Sequence, residues 1–238
     1  MQTVRTLLFY LGMYILVLIF SPLVILSIPL PYPYRYTLVR IWALGVLNWL
    51  KITCGISYEI QGLENIPDAP SAIVLSKHQS AWETIAFITI FPPQVWVLKQ
   101  ELLKIPIYGW ALGSLRPVAI NRKNVRQSLR DIVKQGKQRL ETGHWIVIFP
   151  EGTRVLPKQA GRYTPSGGLL AAEAGVPVIP VAHNAGSFWR RNDFVKRSGM
   201  IQIRIGSVID TEGKTAQEIT KQAEVWIEDT MQTLAEYP

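Results

Sequence analysis

The feature that most constrains this chain is a long uncharged apolar segment near its start. No charged residue occurs between Thr6 and Tyr34, and LLFYLGMYILVLIFSPLVILSIPL fills most of that range. A helix needs only about 20 apolar residues to cross the hydrocarbon core of a bilayer. The apolar part of a secretory signal is shorter, about 7–15 residues, and ends at an A-x-A-like cleavage site that this chain lacks. We therefore expect a retained membrane anchor rather than a cleaved signal.

A second apolar stretch covers residues 37–50 and is interrupted only by Arg40. As a helix it would be about 21 Å long at 1.5 Å per residue, which is short for a full crossing. Trp42 and Trp49 suit the boundary between lipid and water. A helix pair that enters one leaflet therefore fits the sequence as well as a true crossing.

The charge of the chain is strongly basic, with a formal net charge of +8 and a pI of about 9.6. Lys and Arg far outnumber the two acids, Glu101 and Asp131, between residues 99 and 139. Such a charge can serve an anionic membrane, a phosphorylated substrate or nucleic acid. Because it lies beside a hydrophobic anchor and no nucleic-acid-binding motif accompanies it, we expect a phospholipid bilayer and no nucleic acid as partners. The single cysteine, Cys54, excludes an internal disulfide and favours a cytosolic face.

Short apolar runs alternate with helical patterns beyond about residue 55. The runs SAIVLS, VWVLK, PVAI, WIVIF, VPVIPVA and MIQIRIGSVI have the composition of buried strands. Apolar residues recur at helical spacing after the third run and again from about residue 215 to 236. The helical stripes are Val125, Leu129, Ile132, Val133 and Leu140, then Ile219, Ala223, Trp226, Ile227 and Met231. The pattern predicts an α/β fold, with a largely parallel central sheet flanked by helices over residues 55–238 and two membrane-anchoring helices over residues 1–54.

A histidine and a carboxylate stand five positions apart in KHQSAWET. His78 and Glu83 would lie about 140° apart on one regular helix, so they meet only if His78 precedes the helix and Glu83 lies in its first turn. Ser80 and Glu83 also fit a capping box, and this structural role would by itself explain the glutamate. His78 follows a predicted strand, and the carboxyl ends of such strands collect ligand sites. A neutral imidazole there could take a proton from a hydroxyl while the carboxylate steadies its cation.

Two further strand ends carry cations. FPEGTR follows the WIVIF run and offers a glycine, a hydroxyl and Arg154, whereas PVAINR ends in Arg122. An arginine can bind a phosphate through two parallel hydrogen bonds. A lone Gly-Thr-Arg is more often a surface turn, but three such strand ends at one sheet edge predict a hydroxyl nucleophile on a phosphorylated substrate.

Four blocks together, KHQSAWET, GWALGSLRPVAINR, FPEGTR and VPVIPVA, resemble the glycerolipid acyltransferase family in its order. The resemblance is strongest to the bacterial 1-acyl-sn-glycerol-3-phosphate (lysophosphatidic acid) acyltransferases. The four blocks span residues 77–182, and the flanking segments match only in character. The first block of the family is usually His-x-x-x-x-Asp, whereas the acid here is Glu83, which is longer by one methylene.

The resemblance implies that a fatty acyl group moves from a thioester to the sn-2 hydroxyl of lysophosphatidic acid, giving phosphatidic acid for phospholipid biosynthesis. His78 would be the general base and Glu83 would orient it. A backbone N–H at Gly152 would help to stabilise the oxyanion, and His144 and His183 would be structural. The residues expected to bind substrate are Lys99, Arg122, Glu151, Gly152, Thr153 and Arg154.

The same resemblance implies acyl-CoA or acyl carrier protein as co-substrate, with no cofactor and no metal. It places the protein at the bacterial inner membrane, with its catalytic domain on the cytoplasmic face. Two alternatives stay open: an acyltransferase for another lysophospholipid, glycerol 3-phosphate or a lyso-aminolipid, and a non-catalytic membrane lipid-binding protein.

Overall fold

The computed structural model describes residues 1–121 and 124–234 as eight α-helices and seven strands. Two long helices come first, and strands and helices then alternate to the end of the chain. Short 3₁₀ helices lie at Leu63–Asn65 and Gln100–Lys104. In chain order the elements are α1 Gln2–Leu26, α2 Tyr32–Cys54, β1 Ile56–Gln61, β2 Ile73–Ser76, α3 Trp82–Ile90, β3 Gln94–Lys99, α4 Tyr108–Ser114, β4 Val118–Ile120, α5 Val125–Glu141, β5 Trp145–Ile148, α6 Ser166–Ala174, β6 Val178–His183, α7 Ala185–Phe188, β7 Gly199–Ile205 and α8 Ala216–Thr233.

The strands form one sheet in the order β1-β7-β6-β2-β5-β3-β4. Every neighbouring pair is parallel except β6 and β7, which run antiparallel. The predicted α/β fold with a largely parallel sheet is therefore confirmed. Because β2, β5, β3 and β4 run the same way, their carboxyl ends meet at one edge of the sheet, where α/β proteins place their ligand sites.

The two faces of the sheet are covered by different helices. Val74 and Val147 point into a core shared with α1, α2 and α3, whereas their neighbours Ile73 and Ile146 point into a second core with α5, α6 and α8. This alternation follows from the period of two along a strand. Both faces of the central strands are thus buried, which explains their unbroken apolar sequences.

The helix α1 is the one helix in the described ranges that is long and apolar enough to cross a membrane. One face of it packs on the protein: Phe9 is fully buried, and the Trp49 indole donates a hydrogen bond to the Leu8 carbonyl at 3.1 Å. The opposite face leaves a stripe of large apolar side chains exposed. The stripe, which we call the α1 stripe, consists of Val4, Leu7, Leu8, Leu11, Tyr14, Ile15, Leu18, Ile19, Leu23 and Leu26.

The helix α2 extends well beyond the predicted apolar stretch and shares its core with the sheet. The predicted division after residue 54 coincides with the junction between α2 and β1. Leu50 and Val46 of α2 are fully buried against the α/β part, so the first 54 residues pack as part of one body with it. The assignment of those residues to a separate anchoring domain stays a prediction.

Some details of the sequence interpretation need correction. The strand β1 was not among the predicted strands. Val125, expected on the buried stripe of α5, is 78% exposed, whereas Ile132 and Leu140 are buried as expected. The C-terminal helix predicted from about residue 215 is confirmed: α8 begins after Thr215, whose hydroxyl and backbone form a complete capping box with Glu218.

Candidate active site

His78 lies two residues after β2, at the carboxyl edge of the sheet. Its side chain is 13% exposed, and its ring stacks on the Phe149 ring with centroids 4.0 Å apart. Nδ1 is 2.8 Å from the Glu83 carboxylate. An ionised carboxylate only accepts hydrogen bonds, so Nδ1 carries the proton and Nε2 keeps its lone pair. Within residues 1–121 and 124–234, Nε2 has no hydrogen-bond partner.

Glu83 is completely buried in the first turn of α3. Its Oε1 accepts from His78 and also from the backbone N–H groups of Gln79 at 3.0 Å and Ser80 at 2.8 Å. Burial by itself would raise the pKa of Glu83, but His183, His78 and the Ser80 N–H bring that pKa below its usual value. The carboxylate is therefore held ionised beside the imidazole.

The capping role and the pairing with His78 coexist. The helix starts at Trp82, and the Ser80 hydroxyl accepts the Trp82 N–H at 3.1 Å rather than the Glu83 N–H of a full capping box. In turn, the Glu83 carboxylate accepts a hydrogen bond from the Ser80 N–H. One carboxylate thus fixes the start of the helix and orients His78. The role of Glu83 at the helix start is therefore compatible with its pairing with His78.

The loop from residue 149 to residue 155 follows β5 and lies against His78. The Val155 N–H donates to the His78 carbonyl at 2.8 Å. Gly152 is exposed with φ of +67°, a conformation that suits glycine. Its N–H donates to the Phe149 carbonyl at 3.0 Å, so the expected use of this N–H as an oxyanion donor is wrong in this conformation.

Thr153 and Arg154 are joined to an arginine that the sequence analysis did not single out. The Arg191 guanidinium donates to the Thr153 hydroxyl at 3.1 Å and to the Arg154 carbonyl at 2.7 Å. Arg191 is exposed and Arg154 is half-buried. Because 37 residues separate Arg191 from Arg154, no short motif could have predicted that they meet. Arg191 is thereby held against the 149–155 loop, which itself carries Arg154.

Two other predicted binding residues are not located beside His78: Lys99 lies on a more distant strand, and Arg122 is not among the described residues. Lys99 ends β3, two strands away from β2, and its half-exposed side chain is 3.5 Å from Glu101. Arg122 lies outside the described residues. Of the two arginines predicted to hold a phosphate, the structure therefore locates Arg154.

Glu151 has a different setting from the one expected. Its side chain is fully buried, and it accepts from Lys77 Nζ at 2.8 Å, the His78 backbone N–H at 2.9 Å and the Gly161 N–H at 3.1 Å. Burial raises the pKa of Glu151 despite the hydrogen bond and charge of Lys77, which lower it. Glu151 thus lies beneath the loop and supports His78, and it does not line an open acceptor pocket.

Lys77, adjacent to His78 in the chain, is a buried cation held by two carboxylates. It is 1% exposed, and its Nζ is 2.8 Å from both Glu151 and Glu228 of α8. A buried ammonium is costly unless it is paired and hydrogen-bonded, and here two acids and the Gln159 carbonyl satisfy it. Tyr163 donates to Glu228 at 2.7 Å and completes the group. The set Lys77, Glu151, Tyr163 and Glu228, which we call the Lys77 network, ties α8 to the backbone at His78.

His183 ends β6 and is fully buried beside the same site. Its Nε2 is 2.9 Å from the Lys77 carbonyl, so Nε2 carries the proton there, and the Ala185 N–H donates to Nδ1 at 3.3 Å. Burial lowers the pKa of His183, and the Glu83 charge only partly opposes this. His144 is a neighbour of Thr142 and Tyr32 at the opposite end of β5. In the described ranges no three His, Cys, Asp or Glu side chains lie close enough together to hold a metal ion.

Comparison with known proteins now defines the family. The sequence model of the family named Acyltransferase matches residues 57–184, a range that contains His78, Glu83 and the 149–155 loop. A 1-acyl-sn-glycerol-3-phosphate acyltransferase of Pseudomonas aeruginosa is 41% identical over 235 residues, which cover 97% of this chain and 91% of that protein. The chain belongs to the acyltransferase family.

More distant relatives and a solved structure agree with that assignment. The human 1-acyl-sn-glycerol-3-phosphate acyltransferase alpha is 26% identical over 75% of this chain and 64% of its own length. The crystal structure of the 1-acyl-sn-glycerophosphate acyltransferase of Thermotoga maritima superposes over the whole of both chains with a TM-score of 0.82 at 23% identity. The latter supports the fold of this acyltransferase, including the N-terminal helices.

Proposed function

We propose that this acyltransferase moves a fatty acyl group from acyl-CoA or acyl carrier protein to the sn-2 hydroxyl of 1-acyl-glycerol 3-phosphate. The observation that carries the proposal is the 2.8 Å contact between His78 Nδ1 and a buried Glu83, with Nε2 left available at the sheet edge. The substrate names come from the relatives described above. The product, phosphatidic acid, would serve phospholipid biosynthesis.

His78 acts as the general base and then as the general acid. Nε2 removes the proton of the sn-2 hydroxyl as its oxygen attacks the thioester carbonyl, and the tetrahedral intermediate then expels the thiolate. The proton on Nε2 passes to that thiolate, which restores the neutral imidazole. Glu83 fixes the tautomer and stabilises the transient imidazolium. No covalent acyl-enzyme and no cofactor is required, because both substrates react in one complex.

The phosphate of the acceptor binds to the cationic loop beside His78. Arg154 supplies the main charge, Thr153 supplies a hydroxyl, and Gly152 allows close approach of the ligand because an added Cβ would meet open space there. Lys99, the last residue of β3, would add to the positive field at the same edge. A positive site beside the base selects a phosphorylated alcohol over a neutral one.

Membrane attachment by the α1 stripe suits a lipid acceptor. An exposed apolar helix face that is backed by the protein can enter one leaflet, and each buried methylene contributes about 0.8 kcal/mol. This arrangement would place the site at the cytoplasmic face of a bacterial inner membrane, where the lipid acceptor and the water-soluble donor meet.

The test is transfer of a labelled acyl group by the purified protein in detergent. We expect wild type to acylate 1-acyl-glycerol 3-phosphate, and His78→Ala to lose at least about 10²-fold in rate, the usual contribution of a general base. His144→Ala is the matched control and should retain activity, because His144 lies at the other end of the sheet.

Three results would contradict the proposal. Equal rates for wild type and His78→Ala would remove the histidine from the mechanism. Preference for glycerol 3-phosphate, another lysophospholipid or a lyso-aminolipid in the same assay would change the acceptor, and lipid binding without any transfer would favour a non-catalytic lipid-binding protein.

A further inference from the structure

A second group of exposed apolar side chains lies between β3 and α4. Within residues 102–110, four large side chains besides Trp110 are exposed, and Trp110 itself is 59% exposed. We call this group the 102–110 patch; its members are Leu102, Ile105, Ile107, Tyr108 and Trp110. Isolated exposed apolar residues are common, but a contiguous group marks a site of interaction with another molecule or a membrane.

The backbone of the patch is strained in a way that turns an apolar side chain outward. Ile107 has φ of +63° and ψ of −64°, and the Tyr108 N–H closes a tight turn on the Pro106 carbonyl at 2.7 Å. Such a γ-turn with positive φ is rare, and a β-branched residue is especially disfavoured in it. Gly109 allows the next turn to pack closely, since a Cβ there would lie 2.5 Å from the Leu102 carbonyl. Glycine at position 107 would relieve the strain, so the turn itself gains nothing from an isoleucine there.

The patch lies partly on a helix that packs against α1, the helix that carries the α1 stripe. The helix α4, which carries Tyr108 and Trp110, packs beside α1. Arg35, which is 7% exposed, donates to the Ser114 carbonyl at 2.6 Å and to the Ile28 carbonyl at 2.7 Å. It thereby fastens the end of α4 to the turn that follows α1. The helices that carry the α1 stripe and part of the 102–110 patch are thus packed against each other and linked by Arg35.

The charges around the patch match an anionic bilayer. Lys99, Lys104 and Arg116 lie within or beside this segment, and Glu101 is its one acid. Basic residues near an apolar surface are attracted to anionic headgroups, and Trp and Tyr rings suit the boundary between lipid and water. A protein partner would not require this combination of a strained apolar turn, aromatic rings and lysines beside a membrane helix.

We propose that the 102–110 patch is a second membrane-contact site, which enters the headgroup region of an anionic phospholipid bilayer beside α1. The proposal rests on the membrane attachment described under the proposed function. It also has a consequence for the reaction, because the patch comes shortly after Lys99, which ends β3 at the same sheet edge as His78. The bilayer surface would then lie at the opening of the active site, so that a lysolipid could reach His78 without leaving the interface.

The single cysteine makes a direct test possible. Cys54 is buried, so a Cys54→Ala background removes it with little change in surface. Into that background we would introduce Leu18→Cys on the α1 stripe, Trp110→Cys on the patch, or Val225→Cys on α8. Val225 is the matched control, since it is an exposed apolar residue on the helix layer behind the opposite face of the sheet. Each variant carries an environment-sensitive fluorophore and is reconstituted with phosphatidylcholine–phosphatidylglycerol vesicles that contain brominated lipid.

We expect quenching and a blue shift at positions 18 and 110, and neither at position 225. Quenching at position 18 without quenching at position 110 would overturn the second contact site and leave α1 as the sole contact. Absence of quenching at both positions would overturn membrane attachment as well. A blue shift at position 110 that rises with protein concentration in detergent, without lipid quenching, would assign the patch to a second copy of the chain. Acyl transfer by wild type in detergent is measured in parallel, so failure of the enzymatic proposal is seen separately.

Discussion

At the scale of single residues, the pair His78–Glu83 depends on geometry that a five-residue spacing allows only at a helix start. The loop after β2 leaves His78 free to turn back onto the first helical turn of α3. Glu83 reaches it while also accepting two backbone N–H groups. Three donors on one oxygen hold the carboxylate in place, and this makes the orientation of the imidazole a consequence of the fold.

This arrangement predicts the order of enzymatic activity among substitutions at position 83. Glu83→Gln keeps the size of the side chain but removes the charge that stabilises an imidazolium, so we expect kcat to fall by about 10²–10⁴-fold with KM little changed. Glu83→Asp keeps the charge with one methylene less and should retain more activity than the glutamine variant. Steady-state kinetics in detergent measure both, and thermal unfolding shows whether each variant is folded. A glutamine variant with wild-type kcat would contradict the assigned role.

The buried histidine near this pair predicts a loss of stability in acid. Because the pKa of His183 is lowered in the folded state, the unfolded chain binds a proton below its ordinary pKa of about 6.5 while the folded chain does not. The free energy of unfolding should therefore decrease as the pH falls below about 6.5, by at most ~1.4 kcal/mol per pH unit from this group. The lowered pKa of Glu83 acts in the same direction as the pH falls below about 4.5, because there the unfolded chain protonates this carboxylate and the folded chain does not.

The contribution of His183 is isolated by His183→Gln, which can still donate to the Lys77 carbonyl. We would measure the free energy of unfolding by urea, in detergent, at several values between pH 7.5 and 5.5. This free energy should decrease less with falling pH for the variant than for wild type. Some dependence will remain, since burial also lowers the pKa of His144. If the free energy of unfolding changes with pH equally in the two proteins, His183 is not the group that causes the loss of stability in acid.

At the scale of elements, the Lys77 network connects three parts of the fold that are far apart in sequence. Lys77 follows β2, Glu151 follows β5, and Glu228 belongs to α8, and both acids are 2.8 Å from the same ammonium. Glu151 in turn accepts the His78 N–H. Through the network, α8 therefore helps to hold the backbone of the proposed base, His78, in place.

The network predicts strongly non-additive substitutions. Lys77→Met leaves the buried Glu151 charge without its partner, and breaking such a pair costs about 3–5 kcal/mol of stability. Combining it with Glu151→Gln removes the stranded charge, so the double variant should be more stable than the sum of the single changes predicts. Urea unfolding of the four proteins in this cycle gives the coupling. Additive costs would mean that the two side chains stabilise the fold independently.

The elements also show what the sequence can predict and what it cannot. The central strands were predictable because both of their faces are buried, which leaves unbroken apolar runs such as Trp145–Ile148. The strand β1 was missed because it lies at the sheet edge, where Tyr58, Glu59 and Gln61 interrupt the apolar pattern. The pair His78–Glu83 was predictable because it is local. The contact of Lys77 with Glu228 spans 151 residues, and only the folded chain brings it together.

At the scale of the whole molecule, α1 belongs to both the protein and the proposed membrane surface. On its inner face, Phe9 meets the Trp189 ring edge-on with centroids 5.1 Å apart, and the Thr6 hydroxyl accepts the Lys196 N–H at 3.0 Å. On its outer face the α1 stripe is exposed. The helix is therefore a structural part of the fold, and it cannot be treated as a removable anchor.

Removing α1 and making its exposed face polar should have different effects on the fold. Deletion of residues 1–26 uncovers the apolar core beneath Phe9, so we expect aggregation rather than a soluble enzyme. Replacing Leu11 and Leu18 by Gln on the exposed face should leave the melting temperature and the activity in detergent close to wild type, while retention on vesicles falls. Phe9→Gln is the matched control on the inner face and should lower stability by about 3–5 kcal/mol, as loss of a buried aromatic ring does. A truncated chain that stays folded, monomeric and active in detergent would show that α1 only anchors the protein, because a helix that completes the core cannot be removed without loss of the fold.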